Sequence, residues 1–247
     1  IKSISPYVPG KPIEELEREL GISGSIKLAS NENPIGPSPR AVNAIRKTLE
    51  GLNRYPDGSG FYLSQALAKS FGVDLGQIIL GNGSNELIEL AVRTFVQPGD
   101  EVVSADPSFV VYKMITQAAG GTNIIVPCRD MRHDLDAMVE RITEKTRIIF
   151  IANPNNPTGT MNTKTEMDRL MAKVPDHVLV AVDEAYFEYV TRADYPDATD
   201  YVREGRNVLS LRTFSKIYGL AGLRIGYGVT KPEIAEMMNK VRQPFNT

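Results

Sequence analysis

Six short runs of β-branched and other apolar residues punctuate the chain: QIIL (77–80), EVVS (101–104), NIIV (123–126), RIIFIA (147–152), VLVAVD (178–183) and NVLSLR (207–212). Their length and composition predict strands. Between them the apolar positions switch to a helical period. SNELIELAVRTFV (84–96) repeats Leu87, Leu90, Ala91 and Val92 behind Ser84 as expected N-cap, and KTEMDRLMAKV (164–174) repeats Met167, Leu170 and Met171. Strands alternating with helices imply an α/β fold with a mainly parallel sheet flanked by helices. The first 38 residues differ: they are rich in Pro and Gly, with one charged helix candidate, IEELEREL (13–20). They predict an extended arm or part of a second, small domain, and the helix's charges a solvated face. No repeat of solenoid period and no low-complexity segment interrupts the pattern.

Composition narrows the function classes. Of 247 residues, 42% are apolar and 23% charged, with a formal net charge of -2, so no basic field invites nucleic acid or an anionic membrane. The lone Cys128 cannot form an intrachain disulfide, and no apolar run has the length of a membrane span or of a signal-peptide core. A cytoplasmic protein is expected. His133 and His177 lie far apart without Cys or Glu at ligand spacing, so no metal centre is expected and both are read as surface or loop histidines.

The candidate chemistry sits where strands end. RIIFIA runs into NPNNPTG, VLVAVD into DEAY, and NVLSLR into TFSK, so Asn156, Asp183, Tyr186 and Lys216 all follow the C-terminal ends of strands. In an open parallel sheet these ends share one ligand-binding rim. A desolvated lysine there is paired, snorkelling to water, or used as an amine that condenses with an aldehyde. Asp183 suits a protonated ring nitrogen, and the Asn156 amide with the Tyr186 phenol suits a phenolate oxygen, a set that describes pyridoxal phosphate. Its phosphate would find a helix start at GNGSNE (81–86), the hydroxyls of Thr213 and Ser215, and the cation of Arg224. Singly, each motif has a plainer reading: a Pro-rich turn, a strand end capping a helix, an exposed lysine. The glycines of GNGSNE break the dinucleotide fingerprint at Glu86, and no phosphate-loop motif occurs.

With NPNNPTG, VDEAY and SK followed by GLAGLRIGY in that order, the chain resembles the fold-type I pyridoxal-phosphate aminotransferases over almost its whole length. SPYVPGKP (5–12), KLASNENPIGPSP (27–39), NRYPDG (53–58), GNGSNELI (81–88) and KVRQPFNT (240–247) are similar to the histidinol-phosphate branch of that family. The resemblance implies a catalytic set of Lys216, which condenses with the cofactor aldehyde and carries the substrate proton, with Asp183 on the ring nitrogen and Asn156 and Tyr186 on the ring oxygen. It implies Phe109 stacked on the ring, where core packing is the plainer alternative, and a phosphate cup of Gly83, Ser84, Asn85, Thr213, Ser215 and Arg224. Tyr55 would reach that phosphate from a second copy, making a homodimer with shared active sites. Tyr7 and Asn31 would lie near substrate, with arm packing as the alternative.

The implied reaction moves an amino group between histidinol phosphate and 2-oxoglutarate, yielding glutamate, in histidine biosynthesis. Other aminotransferases (aromatic or aspartate), a related amino-acid phosphate decarboxylase, and a non-catalytic binding or regulatory protein are the alternatives. In the family, substrate-binding arginines lie in a C-terminal part of the small domain, a position that Arg212, Arg224 and Arg242 do not match. The expected organisation is therefore 1–38 as arm and part of the small domain and 39–247 as the large cofactor-binding domain. The C-terminal small domain is expected to be absent, leaving the site without its full cover.

Overall fold

The computed structural model describes residues 6, 7 and 9–245, so the stretches 5–12 and 240–247 singled out above run partly outside the described residues. Each of the six apolar runs is a strand: β1 (Ile78–Asn82), β2 (Glu101–Asp106), β3 (Thr122–Pro127), β4 (Thr146–Ala152), β5 (Leu179–Asp183) and β6 (Val208–Thr213). A seventh, β7 (Ile225–Val229), joins them in one sheet of order β1-β7-β6-β5-β4-β2-β3. The β2–β3, β2–β4, β4–β5 and β5–β6 pairings are parallel, and β7 is antiparallel to both β1 and β6. Running backwards, β7 starts at the rim where its neighbours end. That reversal brings Arg224, the residue before it, beside the end of β1.

Nine α-helices lie among the described residues: α1 (Ile13–Leu20), α2 (Pro39–Thr48), α3 (Phe61–Phe71), α4 (Gly83–Phe95), α5 (Val111–Ala118), α6 (Leu135–Glu140), α7 (Lys164–Met171), α8 (Ala198–Arg203) and α9 (Pro232–Asn239). Alternate strand residues enter two buried clusters. On β4, Ile148, Phe150 and Ala152 pack with residues of α4, α5 and α9, while Ile149 and Ile151 pack with residues of α3, α6, α7 and α8. Both sheet faces are thus covered, which is why the strand sequences read as nearly continuous apolar runs. The start of α7 follows from a capping box, in which Thr163 Oγ1 accepts from the Glu166 N–H and Glu166 Oε2 accepts from the Thr163 N–H at 2.7 Å.

The expected N-cap at Ser84 is corrected. Helix α4 begins at Gly83 with Asn82 as N-cap, and Glu86 Oε2 accepts the Asn82 N–H at 2.6 Å. Gly83 has φ of +72°, so the chain turns from strand to helix within one residue and Ser84 falls inside the first turn. Helix α1 buries no residue, and residues 22–38 contain no helix or strand. This arm is tied to the sheet rim, where Asn33 Nδ2 donates to the Ile217 carbonyl at 2.8 Å.

Candidate active site

The ends of β1, β2, β4, β5 and β6 and the start of β7 surround a cavity of about 630 Å³. Its lining brings together Gly83, Ser84, Asn85 and Phe109 with Asn156, Asp183, Tyr186, Thr213, Ser215, Lys216 and Arg224, and includes Tyr7 from the arm. Residues separated by more than a hundred positions meet because parallel strands deliver their ends to one edge.

One end of the cavity gathers groups that suit an anion. The first N–H groups of α4 lack carbonyl partners within the helix, and its dipole favours negative charge there. Arg224 adds a cation, held by bonds from Nη1 to the Ala221 carbonyl at 3.0 Å and from Nη2 to the Asn82 carbonyl at 3.3 Å. Thr213 Oγ1 donates to Ser215 Oγ at 3.0 Å, completing a rim of hydroxyls. Two glycines permit the approach: a Cβ on Gly226 of β7 would stand 2.2 Å from the Ser84 nitrogen, and one on Gly83 would stand 2.5 Å from Arg224 Nη2.

The other end carries the titratable groups. Lys216 Nζ donates to the Ser30 carbonyl at 2.9 Å and lies 5.6 Å from the centre of the Tyr186 ring. Burial pulls its pKa below that of an ordinary lysine, against the attraction of Asp183 and Glu32. Burial raises the Asp183 carboxyl, opposed by a hydrogen bond from Tyr112, by the Ala185 N–H and by Lys216. Tyr186 is likewise raised by burial, while Asn31 Nδ2 donates to its hydroxyl oxygen at 2.7 Å. With that oxygen accepting from Asn31, the Tyr186 O–H is left to donate to a ligand oxygen.

Two expected residues stand apart from this lining. Asn31 reaches the site through Tyr186 and borders an adjoining cavity of about 410 Å³ that shares Asn156 and Tyr186. Tyr55 is absent from the cavity within one chain; it is 80% exposed and stacks on Phe245 with ring centres 4.5 Å apart. His133 lies in a loop, one of the two settings expected, but is buried rather than at the surface, with Nε2 3.1 Å from Asn155 Oδ1. Asn155 Nδ2 donates in turn to the Pro107 and Thr158 oxygens, so the histidine braces the loop that presents Asn156. Burial lowers its pKa to about 4. His177 is exposed as expected.

Sequence reasoning missed three features. Tyr112 donates its phenol proton to Asp183 Oδ2 at 2.7 Å. Ser30 and Glu32 of the arm line the cavity. Behind Asp183, the buried Glu184 accepts from Arg212 at 3.2 Å, Ser210 at 2.6 Å and Tyr195 at 3.0 Å, and Arg212 also donates to Asp197 at 2.7 Å. The signal for this network was the pair of charges inside otherwise apolar strand ends, Glu184 after VAVD and Arg212 within VLSLRT.

The family described as aminotransferase class I and II matches residues 23–247. The histidinol-phosphate aminotransferase of Moorella thermoacetica is 55% identical over 247 residues, covering 100% of this chain and 64% of the relative. Histidinol-phosphate aminotransferase 1 of Nitrosococcus oceani is 51% identical, covering 100% of this chain and 66% of its own. The chain thus spans about two thirds of the length of these relatives. Among solved structures, histidinol-phosphate aminotransferase from Sinorhizobium meliloti in complex with pyridoxal-5'-phosphate superimposes with a TM-score of 0.89 at 32% identity, over 98% of this chain and 65% of that one.

Proposed function

Because the chain belongs to the class I and II aminotransferases, we propose that it is the cofactor-binding body of a pyridoxal-phosphate-dependent transaminase acting on histidinol phosphate and 2-oxoglutarate. The observation that carries this is the meeting, in one cavity, of an amine (Lys216), a carboxylate (Asp183), an amide with a phenol (Asn156, Tyr186) and an anion cup ending in Arg224. The donor set fits the cofactor. The cup offers a cation and a helix start to a phosphate, Phe109 offers an aromatic wall, and the cavity volume suits a molecule of that size. The choice of histidinol phosphate rests on the relatives at 55% and 51% identity.

When bound, pyridoxal phosphate supplies an aldehyde for amines and a protonated ring that accepts the electron pair released as a substrate Cα loses its proton. Asp183 holds the proton on the ring nitrogen by pairing with it. Asn156 and Tyr186 would donate to the ring oxygen, and Ser84, Asn85, Thr213, Ser215 and Arg224 would hold the phosphate. Lys216 Nζ, its pKa lowered by burial, would be the amine that holds the aldehyde. Lys216 Nζ would also be the group that takes up and returns the proton at the substrate Cα. Tyr7 and Asn31 border the side from which substrate would enter.

Residues 1–38 are assigned to an arm and part of a small domain, and 39–247 to the large domain. The additional length of the relatives would supply the remaining cover over the substrate. A homodimer with shared sites is supported by the exposure of Tyr55, Ile26, Leu28, Ile35, Leu52 and Tyr62, all more than three quarters bare, on one chain. Sedimentation as a monomer at micromolar concentration would count against it. Among the described residues no helix is long and apolar enough to cross a membrane; a cytoplasmic setting is part of the proposal.

The test is the visible spectrum with added pyridoxal phosphate, before and after histidinol phosphate. A band present in the parent, absent in Lys216→Ala and bleached by histidinol phosphate is expected. A band that no amino donor bleaches would favour the binding-protein reading, and bleaching only by an aromatic amino acid or aspartate would replace the substrate.

A further inference from the structure

The hydrogen bond from Tyr112 to Asp183 joins a core aromatic to the carboxylate at the heart of the cavity. Tyr112 lies in the first turn of α5, is 1% exposed, and stacks flat on Phe150 with ring centres 4.6 Å apart and planes 5° from parallel. It meets the Phe109 ring edge to face, with centres 5.7 Å apart and planes at 84°. One side chain therefore touches both groups that flank the expected position of the cofactor ring, the aromatic wall and the carboxylate.

The polar bookkeeping around Asp183 gives the contact its meaning. Oδ2 accepts from the Tyr112 phenol at 2.7 Å and Oδ1 from the Ala185 N–H at 3.2 Å. Two donors on different oxygens set the plane of the carboxylate. Tyr112 is locked between Phe150 and Phe109, so its hydroxyl has little freedom to follow Asp183 if the carboxylate turns. Without that donor, a buried carboxylate would retain one short-range N–H and would favour its neutral form.

Resting on the pyridoxal-phosphate reading above, we infer that Tyr112 is a positioning residue: its phenol orients Asp183 toward the protonated ring nitrogen of the cofactor while its ring braces Phe109. It touches neither substrate nor cofactor in this role. Asp183 performs the pairing, and Tyr112 determines how it is aimed and that it remains an anion.

Tyr112→Phe separates the two contributions, because it keeps both ring contacts and deletes only the donor. The measurement is the dissociation constant of two probes, pyridoxal phosphate and its 1-deaza analogue, in which a C–H replaces the ring nitrogen, in the parent and in the variant. A hydrogen bond to a charged group leads us to expect about a tenfold to hundredfold loss of affinity for pyridoxal phosphate and little change for the deaza analogue. The absorption of the bound cofactor should also become dependent on pH at a lower pH than in the parent, as the ring nitrogen loses its proton more easily. Equal losses for both probes would show a merely structural role, and no loss for either would show that Ala185 suffices to hold Asp183; both overturn the inference. Thermal melting of the protein without cofactor identifies a variant that fails to fold, in which case Tyr112→His, which retains a ring donor, repeats the comparison and decides between the same outcomes. If the parent binds neither probe through Lys216, the underlying reading fails instead, and the Lys216→Ala control distinguishes that case.

Discussion

The Glu184–Arg212 pair behind the cavity supports a quantitative prediction. Arg212 is 3% exposed and its side chain lies over the Phe187 ring, 3.5 Å from its centre, with Phe71 at 5.1 Å. Burial opposes its charge, but Glu184 and Asp197 outweigh that opposition and raise its pKa. Arg212→Met keeps an unbranched side chain between the two rings and removes both ionic contacts. Glu184 would then keep Ser210 Oγ at 2.6 Å, Tyr195 at 3.0 Å and the Ala198 N–H at 3.2 Å as neutral donors. Breaking a buried pair typically costs about 3–5 kcal/mol, and these three surviving donors place the expected loss near the lower limit, about 3 kcal/mol. Adding Glu184→Gln removes the orphaned charge and should recover about 2 kcal/mol, a coupling that a double-mutant cycle in urea reads directly.

The same pair predicts a pH signature. Burial raises the folded-state pKa of Glu184 even with Arg212 present. Removing Arg212 raises it further, so the folded variant binds a proton that the unfolded chain releases. The stability associated with that proton is fully present below the unfolded carboxyl value and is lost as pH rises through the folded one. The penalty of Arg212→Met should therefore shrink from pH 7 to pH 5, while the double variant shows no such recovery. A cost below about 1 kcal/mol at pH 7, or strictly additive single substitutions, would refute the reasoning from buried-charge physics.

Two further pH predictions follow from the site. Only the neutral amine of Lys216 attacks an aldehyde, so the rate of pyridoxal phosphate capture should rise with pH to a midpoint below the ordinary lysine value, because burial depresses its pKa. Stopped-flow absorbance should place that midpoint lower still in Asp183→Asn, which removes an attraction for the ammonium; an upward shift would contradict the assigned electrostatics. His133, with its pKa lowered to about 4 by burial, contributes stability that is present above its unfolded value and is lost as pH falls from about 6.5 toward 4, up to ~3 kcal/mol. His133→Gln should flatten this part of the urea-midpoint profile, and an unchanged acid limb would show that other groups govern it.

Much of the molecule is legible along the chain, for identifiable reasons. The runs around Ile79, Val103, Ile149, Val180 and Leu209 stand out because strands covered on both faces leave few polar positions to blur them, while NIIV, on the part-exposed edge strand β3, stands out by its β-branched residues. Lys216, Asp183, Asn156 and Tyr186 stand out because each ends or follows such a run, where a parallel sheet gathers its ligands. β7 escaped as a strand because IGYGV carries two glycines, and Gly226 is there for the close approach of Ser84 rather than for strand propensity. Tyr112 is not legible, because nothing in neighbouring residues distinguishes a buried phenol that merely packs from one that donates to Asp183, 71 residues away.

The sequence by itself determines the alternation of strands and helices and the polar groups at their junctions, because local periodicity and turn chemistry are short-range properties written in neighbouring residues. Only the tertiary structure decides that β7 runs backwards and brings Arg224 beside the end of β1, that Asn31 reaches Tyr186 across 155 positions, and that the Tyr112 phenol donates to Asp183. Those contacts depend on strand order and on angstrom-scale fit in a packed interior, and both emerge from all the elements together rather than from any one of them.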